Sequence, residues 1–467
     1  MSRRNLYWLL GIAAVSLLGF TVSYSAPTRE KDNDYELVRL VVDVLHEVRQ
    51  RYVVDVDPDR ERKLVEDMIN GGLERLDPHS AYIPPREYKQ FEKTSEGKFG
   101  GVGIQVGFDR QNRGLLTVIS PMPGTPAYEA GVLAGDLIVK IDGKSTDNMR
   151  MNEAVDLIQG DPGQKVTLTV LHEGTKETVD IDIKRAIIVV PSVLGDRRRA
   201  DNPKAWDFML DPQSKIGYIR LTNFSKTAAR EMHDALDELQ RDGVRGLIID
   251  LRNNPGGLLK AAVEISDLFL SDGRIVSTKG RNHKEEVYDA KADGTLLLPA
   301  GRYPMAVLVN KYSASASEIV AAALQDHRRA IVVGERTYGK GSVQNIIEMH
   351  EGAKASALKL TTASYWRPNG KNIHRFPDSK DADEWGVKPD AGFEVSMKDE
   401  ERLEYMIYRT ERDVVREKSR PAETDKKKDG KEKKPFVDRA LQKAVEHLKK
   451  EIDKGDAAAE LPPKGNA

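Results

Sequence analysis

The run Ser313-Ala314-Ser315-Ala316-Ser317-Glu318-Ile319 sets a serine among small residues, and Lys340, flanked by Gly339 and Gly341, follows Ser315 by 25 residues. A serine hydroxyl is a weak nucleophile until a neighbouring base takes its proton. Lysine serves as that base when burial keeps it neutral. Its free pKa of about 10.4 has to fall to roughly 8, which costs on the order of 3 kcal/mol at about 1.4 kcal/mol per unit. Burial shifts lysines by up to about 3–5 units, so this chemistry is within reach. Composition removes the competing chemistries. With no cysteine there is neither a thiolate nucleophile nor a disulfide framework. The nine histidines are scattered, without His-Glu-x-x-His or other ligand spacing, so no metal site is expected. Asp326-His327 suggests a Ser-His-Asp triad, but it lies 12 residues beyond Ser315 on the same expected helix. At ~1.5 Å per residue that is about 18 Å, beyond hydrogen-bond reach.

The surrounding pattern supplies the elements that have to position such a pair. Ala314–His327 carries Ile319, Val320, Ala323 and Leu324 at helical spacing, which predicts a buried helix opening at the serine. Ala330–Gly334 reads as a short buried strand, and the loop Glu335–Gly341 follows it. A helix out and a strand back return the chain to its start, so Lys340 is expected to meet Ser315. The Ala316 N–H falls in the first helical turn, where backbone donors are unpaired and suited to an oxyanion. Taken alone, a Ser-Ala run before a helix is ordinarily an N-cap, and Gly-Lys-Gly is ordinarily a surface turn. Asp77-Pro78-His79-Ser80 reads locally as a tight structural turn.

Further motifs decide between these readings. Leu76-Asp77-Pro78-His79-Ser80, Phe99-Gly100-Gly101-Val102-Gly103, Asp250-Leu251-Arg252-Asn253-Asn254-Pro255-Gly256-Gly257 and Gly386-Val387-Lys388-Pro389-Asp390 accompany the serine and lysine motifs, in order, between about Tyr35 and Asp390. In this the chain resembles the carboxyl-terminal processing peptidases, or tail-specific proteases. The resemblance implies Ser315 as nucleophile, Lys340 as general base and Gln344 as the residue that orients the lysine amine. It also implies a second oxyanion N–H from the turn at Gly256 and Gly257, with Gly257 slightly favoured, and a crotonase-like α/β core.

Residues 97–185 alternate as short strands: Val102–Val106, Leu115–Ile119, Leu137–Ile141 and Val166–Val170. Turns at Asp142-Gly143 and Pro162-Gly163 separate them, with one helix over Asn152–Ile158. This segment resembles a PDZ domain, with Gly101-Val102-Gly103-Ile104 as carboxylate loop and Ala130–Asp136 before the third strand. Closely spaced glycines let backbone N–H groups converge on a terminal carboxylate, while a strand edge accepts the peptide. The pocket formed with Val155 and Ile158 reads as apolar. Gln159 stands where family members often carry an arginine implicated in coupling the PDZ domain to the active site, which puts that coupling in question here.

The remainder follows from composition. In 467 residues, Lys plus Arg number 73 against 74 for Asp plus Glu, so no global field draws the chain to nucleic acid. Arg3 and Arg4 precede an apolar stretch to about Tyr24, and residues 1–26 read as a signal peptide or signal anchor. About 18 residues span roughly 27 Å, close to the ~30 Å hydrocarbon core. The basic flank then stays cytoplasmic and the remaining chain is extracytoplasmic: periplasmic or secreted, or anchored to the inner membrane. Residues 34–96 are expected to be helical, with Leu37, Leu40, Val41, Val44, Leu45 and Val48 on one face and Leu64, Met68, Ile69 and Leu73 on another. Residues 186–395 alternate strand and helix: Ile216–Leu221, Lys226–Leu239, Gly246–Leu251, Leu258–Leu270 and Met305–Val309, then the serine helix. Residues 396–467 form a charged linker and an amphipathic helix over Val437–Ile452, whose mixed-sign polar face favours docking on the body or a partner over membrane binding.

The expectation is thus an extracytoplasmic serine endopeptidase that selects free C-termini and needs no cofactor or metal. Its partners are protein substrates, with a membrane attachment, a homo-oligomer or a regulatory partner all compatible with the sequence. Two other classes fit parts of the pattern: a PDZ scaffold carrying a dead protease fold, and a crotonase-like acyl-CoA enzyme. Retention of Ser315, Lys340 and Gln344 together speaks against the first. An export signal and a PDZ domain speak against the second.

Overall fold

The computed structural model describes residues 29–95, 97–109, 114–281, 283–291, 303–350, 355–415 and 436–459. The expected leader, residues 1–26, and most of the charged linker lie outside them. The chain divides into two bodies, Met1–Tyr82 and Ile83–Ala467.

In the first body, α1 (Arg29–Arg51) and α2 (Pro58–Glu74) follow one another. Asp57 starts α2 by accepting the Arg60 N–H at 2.8 Å, and Pro58 takes the first position, where a missing N–H is harmless. The apolar stripe of α1 is present and largely exposed among the described residues, with Leu40 61% exposed and Leu45 and Val48 partly buried. The Asp77–Ser80 segment is the tight turn its sequence suggests. One Asp77 oxygen accepts the His79 and Ser80 N–H groups, at 2.8 and 3.0 Å, and the other accepts the Ser80 hydroxyl.

The second body opens with α3 (Pro85–Ser95) and a small β-domain. Strand β1 (Lys98–Gly101) is followed by β2 (Ile104–Asp109), β3 (Leu115–Pro121), the short α4 (Pro126–Glu129), β4 (Leu137–Ile141), α5 (Met151–Ile158), β5 (Lys165–Leu171) and β6 (Thr178–Lys184). Strands β2, β3, β4, β5 and β6 pair antiparallel in that order over a core that includes Val118, Ile138, Ile141, Val166 and Leu168. Strand β7 (Ala186–Val189) leaves this domain and pairs antiparallel with β1. The expected first strand, Val102–Val106, is interrupted. Gly103 has φ +81°, which an extended strand cannot contain, so pairing breaks there and β2 begins at Ile104.

The larger domain is built on a parallel sheet. Strands β9 (Ile216–Leu221), β10 (Gly246–Asp250), β13 (Met305–Val309) and β14 (Ile331–Gly334) lie side by side in that order, with β8 (Val193–Leu194) antiparallel at the edge. Alternation sorts their side chains onto two faces. Leu221, Leu247, Ile249, Val307 and Val332 face α6 (Ala228–Arg241), α7 (Leu259–Asp267) and α8 (Ala316–Asp326). Ile216, Tyr218, Ile248, Leu308 and Val333 pack on Ala440, Ala444, Leu448 and Ile452 of α10 (Arg439–Ala459). Of the two docking sites expected for the C-terminal helix, the body or a partner, the helix lies on the body, although Val437 itself stays exposed. A second, antiparallel sheet holds β11 (Arg274–Gly280), β12 (His283–Asp289), β15 (Ser342–Glu348) and β16 (Ala357–Trp366). Helix α9 (Asp399–Asp413) lies between this core and α10 in sequence.

Candidate active site

Ser315 sits at the junction of the loop after β13 with α8, and its backbone is held at φ +56°, ψ −116°. A non-glycine residue there is strained by on the order of 1–3 kcal/mol and persists only where its surroundings over-determine it. The neighbouring turn supplies that constraint. Ser313 Oγ donates to the Leu251 carbonyl at 2.8 Å, and the Ala314 N–H and Ser317 Oγ both donate to the Asn254 carbonyl at 3.0 Å. Asn253 and Asn310 exchange hydrogen bonds, backbone N–H to side-chain oxygen at 3.0 Å and amide to amide at 2.9 Å. Asn254 Nδ2 reaches the Leu221 carbonyl at 2.7 Å. The Asn253–Gly257 turn and the serine elbow are thus laced together, chiefly by the buried Asn254, Asn310, Ser313 and Ser317.

The turn is glycine because the elbow lies against it. A methyl on Gly256 would stand 2.8 Å from Ser315 Cβ and 3.0 Å from Ala316 N; one on Gly257 would stand 2.4 Å from the Phe224 carbonyl oxygen. The N–H groups of the two glycines are not equivalent. That of Gly256 donates to Asn254 Oδ1 at 2.8 Å, while that of Gly257 makes no hydrogen bond to the described residues. Ala316, at the first position of α8, likewise has no backbone acceptor for its N–H among them.

Lys340 comes to the same place through Glu318. This carboxylate is fully buried, and burial pushes its pKa up, opposed by the hydrogen bonds it accepts. Oε2 accepts the Ser315 and Lys340 N–H groups, each at 2.8 Å; Oε1 accepts the Gly339 N–H at 2.6 Å and Thr337 Oγ1 at 2.5 Å. The backbone nitrogens of Ser315 and Lys340 therefore lie less than 6 Å apart. The glycines flanking Lys340 are dictated by close packing. A methyl on Gly339 would meet Arg375 Cβ at 2.7 Å, and one on Gly341 the His374 nitrogen at 2.2 Å. The Lys340 side chain is half-buried. Gln344, on β15 beside a bulge at Val343–Gln344, donates to Ser342 Oγ at 2.9 Å and Thr361 Oγ1 at 3.1 Å.

Glu318 and Tyr365 are the residues missed from sequence. Glu318 carried a signal, because glutamate three residues after an N-cap serine is a capping box. Tyr365, on β16, carried none. It is 5% exposed, its hydroxyl meets the Ser315 side chain, and burial pushes its pKa up to about 12. A phenol so far from ionisation is no base at neutral pH. The discarded pair stays discarded. At the far end of α8, Asp326 holds Arg367 and Asn369, and His327 Nε2 meets the Arg274 carbonyl.

In the β-domain, a cavity of about 460 Å³ runs between β2 and α5. Its lining includes Val102, Gly103, Ile104, Val155 and Ile158, all expected, together with Phe99, Val106, Met151 and Gln159. Gly101 instead ends β1, paired with Ala186, and does not line it. The C-terminus of α5 is held by buried Arg185, which donates to the carbonyls of Leu157, Ile158 and Lys165 at 2.7, 3.0 and 2.9 Å.

A strained serine at a strand-to-helix elbow, a glycine-flanked lysine beside it and an apolar strand–helix groove in the β-domain define a PDZ-bearing serine peptidase. Comparison with known proteins agrees. Peptidase family S41 matches residues 215–392, and the PDZ domain family matches residues 117–171. A carboxy-terminal-processing protease of Bartonella bacilliformis is 40% identical over 378 residues, 80% of each chain. The carboxy-terminal processing protease CtpA of Bacillus subtilis is 36% identical over 77% of this chain and 69% of its own. Among solved structures, a photosystem II D1 C-terminal processing protease is 27% identical, covering 75% of this chain and 86% of its own, with a TM-score of 0.41. The chain belongs to the carboxy-terminal-processing proteases, serine endopeptidases of family S41.

Proposed function

We propose that this protease acts outside the cytoplasm, selects substrates by a free C-terminus held in the β2–α5 groove, and cleaves them with a Ser315–Lys340 dyad through an acyl-enzyme. The observation that carries the dyad is the single Glu318 oxygen accepting both the Ser315 and the Lys340 N–H. Lys340, in its neutral form, takes the Ser315 proton as Oγ attacks the scissile carbonyl. The Ala316 and Gly257 N–H groups hold the oxyanion, where one such donor is typically worth 10²–10³ in kcat. The lysine ammonium then protonates the leaving amine. Water, activated by the same lysine, hydrolyses the ester and restores the serine. Gly257 is preferred to Gly256 because the Gly256 N–H is already engaged by Asn254. Gln344 steadies the start of β15 beside the lysine through Ser342 and Thr361. Extracytoplasmic action rests on Arg3, Arg4 and the apolar run that follows them.

A fluorophosphonate, which phosphonylates activated serines, tests the dyad. Wild type should be modified at Ser315, whereas Lys340→Ala and Lys340→Arg should be neither modified nor active, since arginine keeps the charge but cannot act as base. Activity surviving Lys340→Arg would remove lysine from this role.

A further inference from the structure

Beneath the oxyanion turn lies a buried charge cluster that joins it to the C-terminal helix, well beyond the family match ending at residue 392. Arg252, 5% exposed, immediately precedes the turn. On one side its Nε lies 3.0 Å from Asp250 Oδ1 and its Nη2 2.6 Å from Asp250 Oδ2. On the other, its Nη1 and Nη2 donate to the two oxygens of Asp438, each at 2.8 Å. The guanidinium lies 4.6 Å from the centre of the Tyr405 ring, and Tyr218 donates to Asp250 at 2.7 Å. Asp438 also opens α10, accepting the Leu441 N–H at 3.0 Å. Packing alone does not call for such a cluster, since a buried ion pair is often no more stabilising than apolar residues of the same shape. What the two-sided clamp does is fix Arg252, and with it the path of the chain into Asn253, which stands at φ +60°, and on to Gly257.

We propose that Asp438 is a positioning residue for the oxyanion turn, acting through Arg252, so that the start of α10 supports catalysis while the rest of the helix covers the sheet. The inference rests on the Ser315–Lys340 reading with Gly257 in the oxyanion site. A turn displaced by a fraction of an ångström still binds substrate but holds the tetrahedral oxyanion poorly, so the loss falls on kcat.

Asp438→Asn, in the full chain, keeps the size and helix-capping capacity of the side chain while removing its charge. With a short peptide substrate we expect kcat to fall tenfold or more and KM to change less than twofold. Affinity for a peptide aldehyde, which forms a tetrahedral adduct with the serine, should fall in parallel with kcat. Leu448→Ala separates positioning from general loosening, because it weakens α10 packing without touching Arg252 and should lower the melting temperature while leaving kcat within twofold. Wild-type kcat in Asp438→Asn, or an equal loss of kcat in Leu448→Ala, would overturn the role of Asp438. Failure of wild type to react with the fluorophosphonate at Ser315 would instead overturn the dyad beneath it, so the two failures are distinguishable.

Discussion

Glu318 is the residue that holds the proposed nucleophile and base in place. Its four partners are all donors, three backbone N–H groups and the Thr337 hydroxyl, so the carboxylate meets them only when ionised. Glu318→Gln replaces one acceptor oxygen by an NH2 that faces donors. Hydrogen bonds to charged groups contribute about 1.5–3 kcal/mol, so kcat should drop roughly 10–100-fold, with KM little changed, in steady-state assays on a short peptide. The direction of its pKa adds a pH dependence. Burial raises it above the unfolded value of about 4.3. A raised carboxyl binds its proton more readily in the folded chain, so the stability it contributes is present below the unfolded pKa and is lost as pH rises through the folded one. Protonation of Glu318 in acid should therefore add to the loss of activity that protonation of Lys340 already brings, without unfolding the chain. As pH falls below neutral, kcat should drop while the circular dichroism holds, and more steeply in wild type than in Glu318→Gln; identical pH profiles for the two would remove Glu318 from the effect. The sequence showed the capping-box half of this residue. The return of the loop by β14 was legible too, from the buried strand after the helix; that Glu318 is the group receiving Thr337–Lys340 is a tertiary fact with no local signature. Tyr365 was illegible for the same reason.

At the scale of elements, most of the pattern was readable because each segment obeys one period. Strands β9 and β13 coincide with their expected spans, and Asp142-Gly143 turns with both residues at positive φ, as that dipeptide demands. Misplacements have local causes, such as the shift of the first β-domain strand by Gly103. The stripe on α1 was legible as a pattern, but periodicity does not say what covers it. In the groove, the departure at Gln159 is accompanied by an arginine from another element. Arg185 holds the carbonyl end of α5, where a cation also complements the helix dipole. A helix anchored in this way gives the groove a fixed wall, and on the proposed reading flexible Met151 would let it accept aliphatic side chains of several shapes. Titration of Ser315→Ala protein, which binds without cutting, should show free-acid peptides ending in an apolar residue binding at least tenfold more tightly than their C-terminal amides. That factor is about 1.4 kcal/mol, less than one charge-assisted hydrogen bond. Equal binding would end the carboxylate model and leave the dyad untouched.

At the scale of the whole second body, the parallel sheet has one face covered by α6, α7 and α8 and the other by α10, a helix from the far end of the chain. The sequence indicated that this helix docks but not where, because an apolar stripe fits any open apolar face; that it closes the sheet follows only once the strand order is known. Asp211 ties it down directly, and Asp250 does so one step removed, by holding the Arg252 that grips Asp438 at its start. Asp211 accepts Lys449 of α10 at 2.8 Å, and its pKa is lowered to about 2, chiefly by that lysine, with help from the Ser214 and Gln213 N–H groups. Burial pushes Asp250 up, but the Arg252 guanidinium beside it prevails and holds its carboxyl below the usual range. Both are depressed carboxylates. The stability they contribute is present above the unfolded value of about 3.9 and is lost as pH falls through the folded one, which for Asp211 means between about 4 and 2. Hydrogen exchange should accordingly show the α10 amides losing protection in that window before those of the central strands β10 and β13, which stay covered by α7 and α8. Asp211→Asn removes one of the two titrations, so its melting temperature should lie below wild type at neutral pH and converge on it near pH 2. A constant gap across the whole range would mean that Lys449 and Asp211 do not form the tie that holds α10.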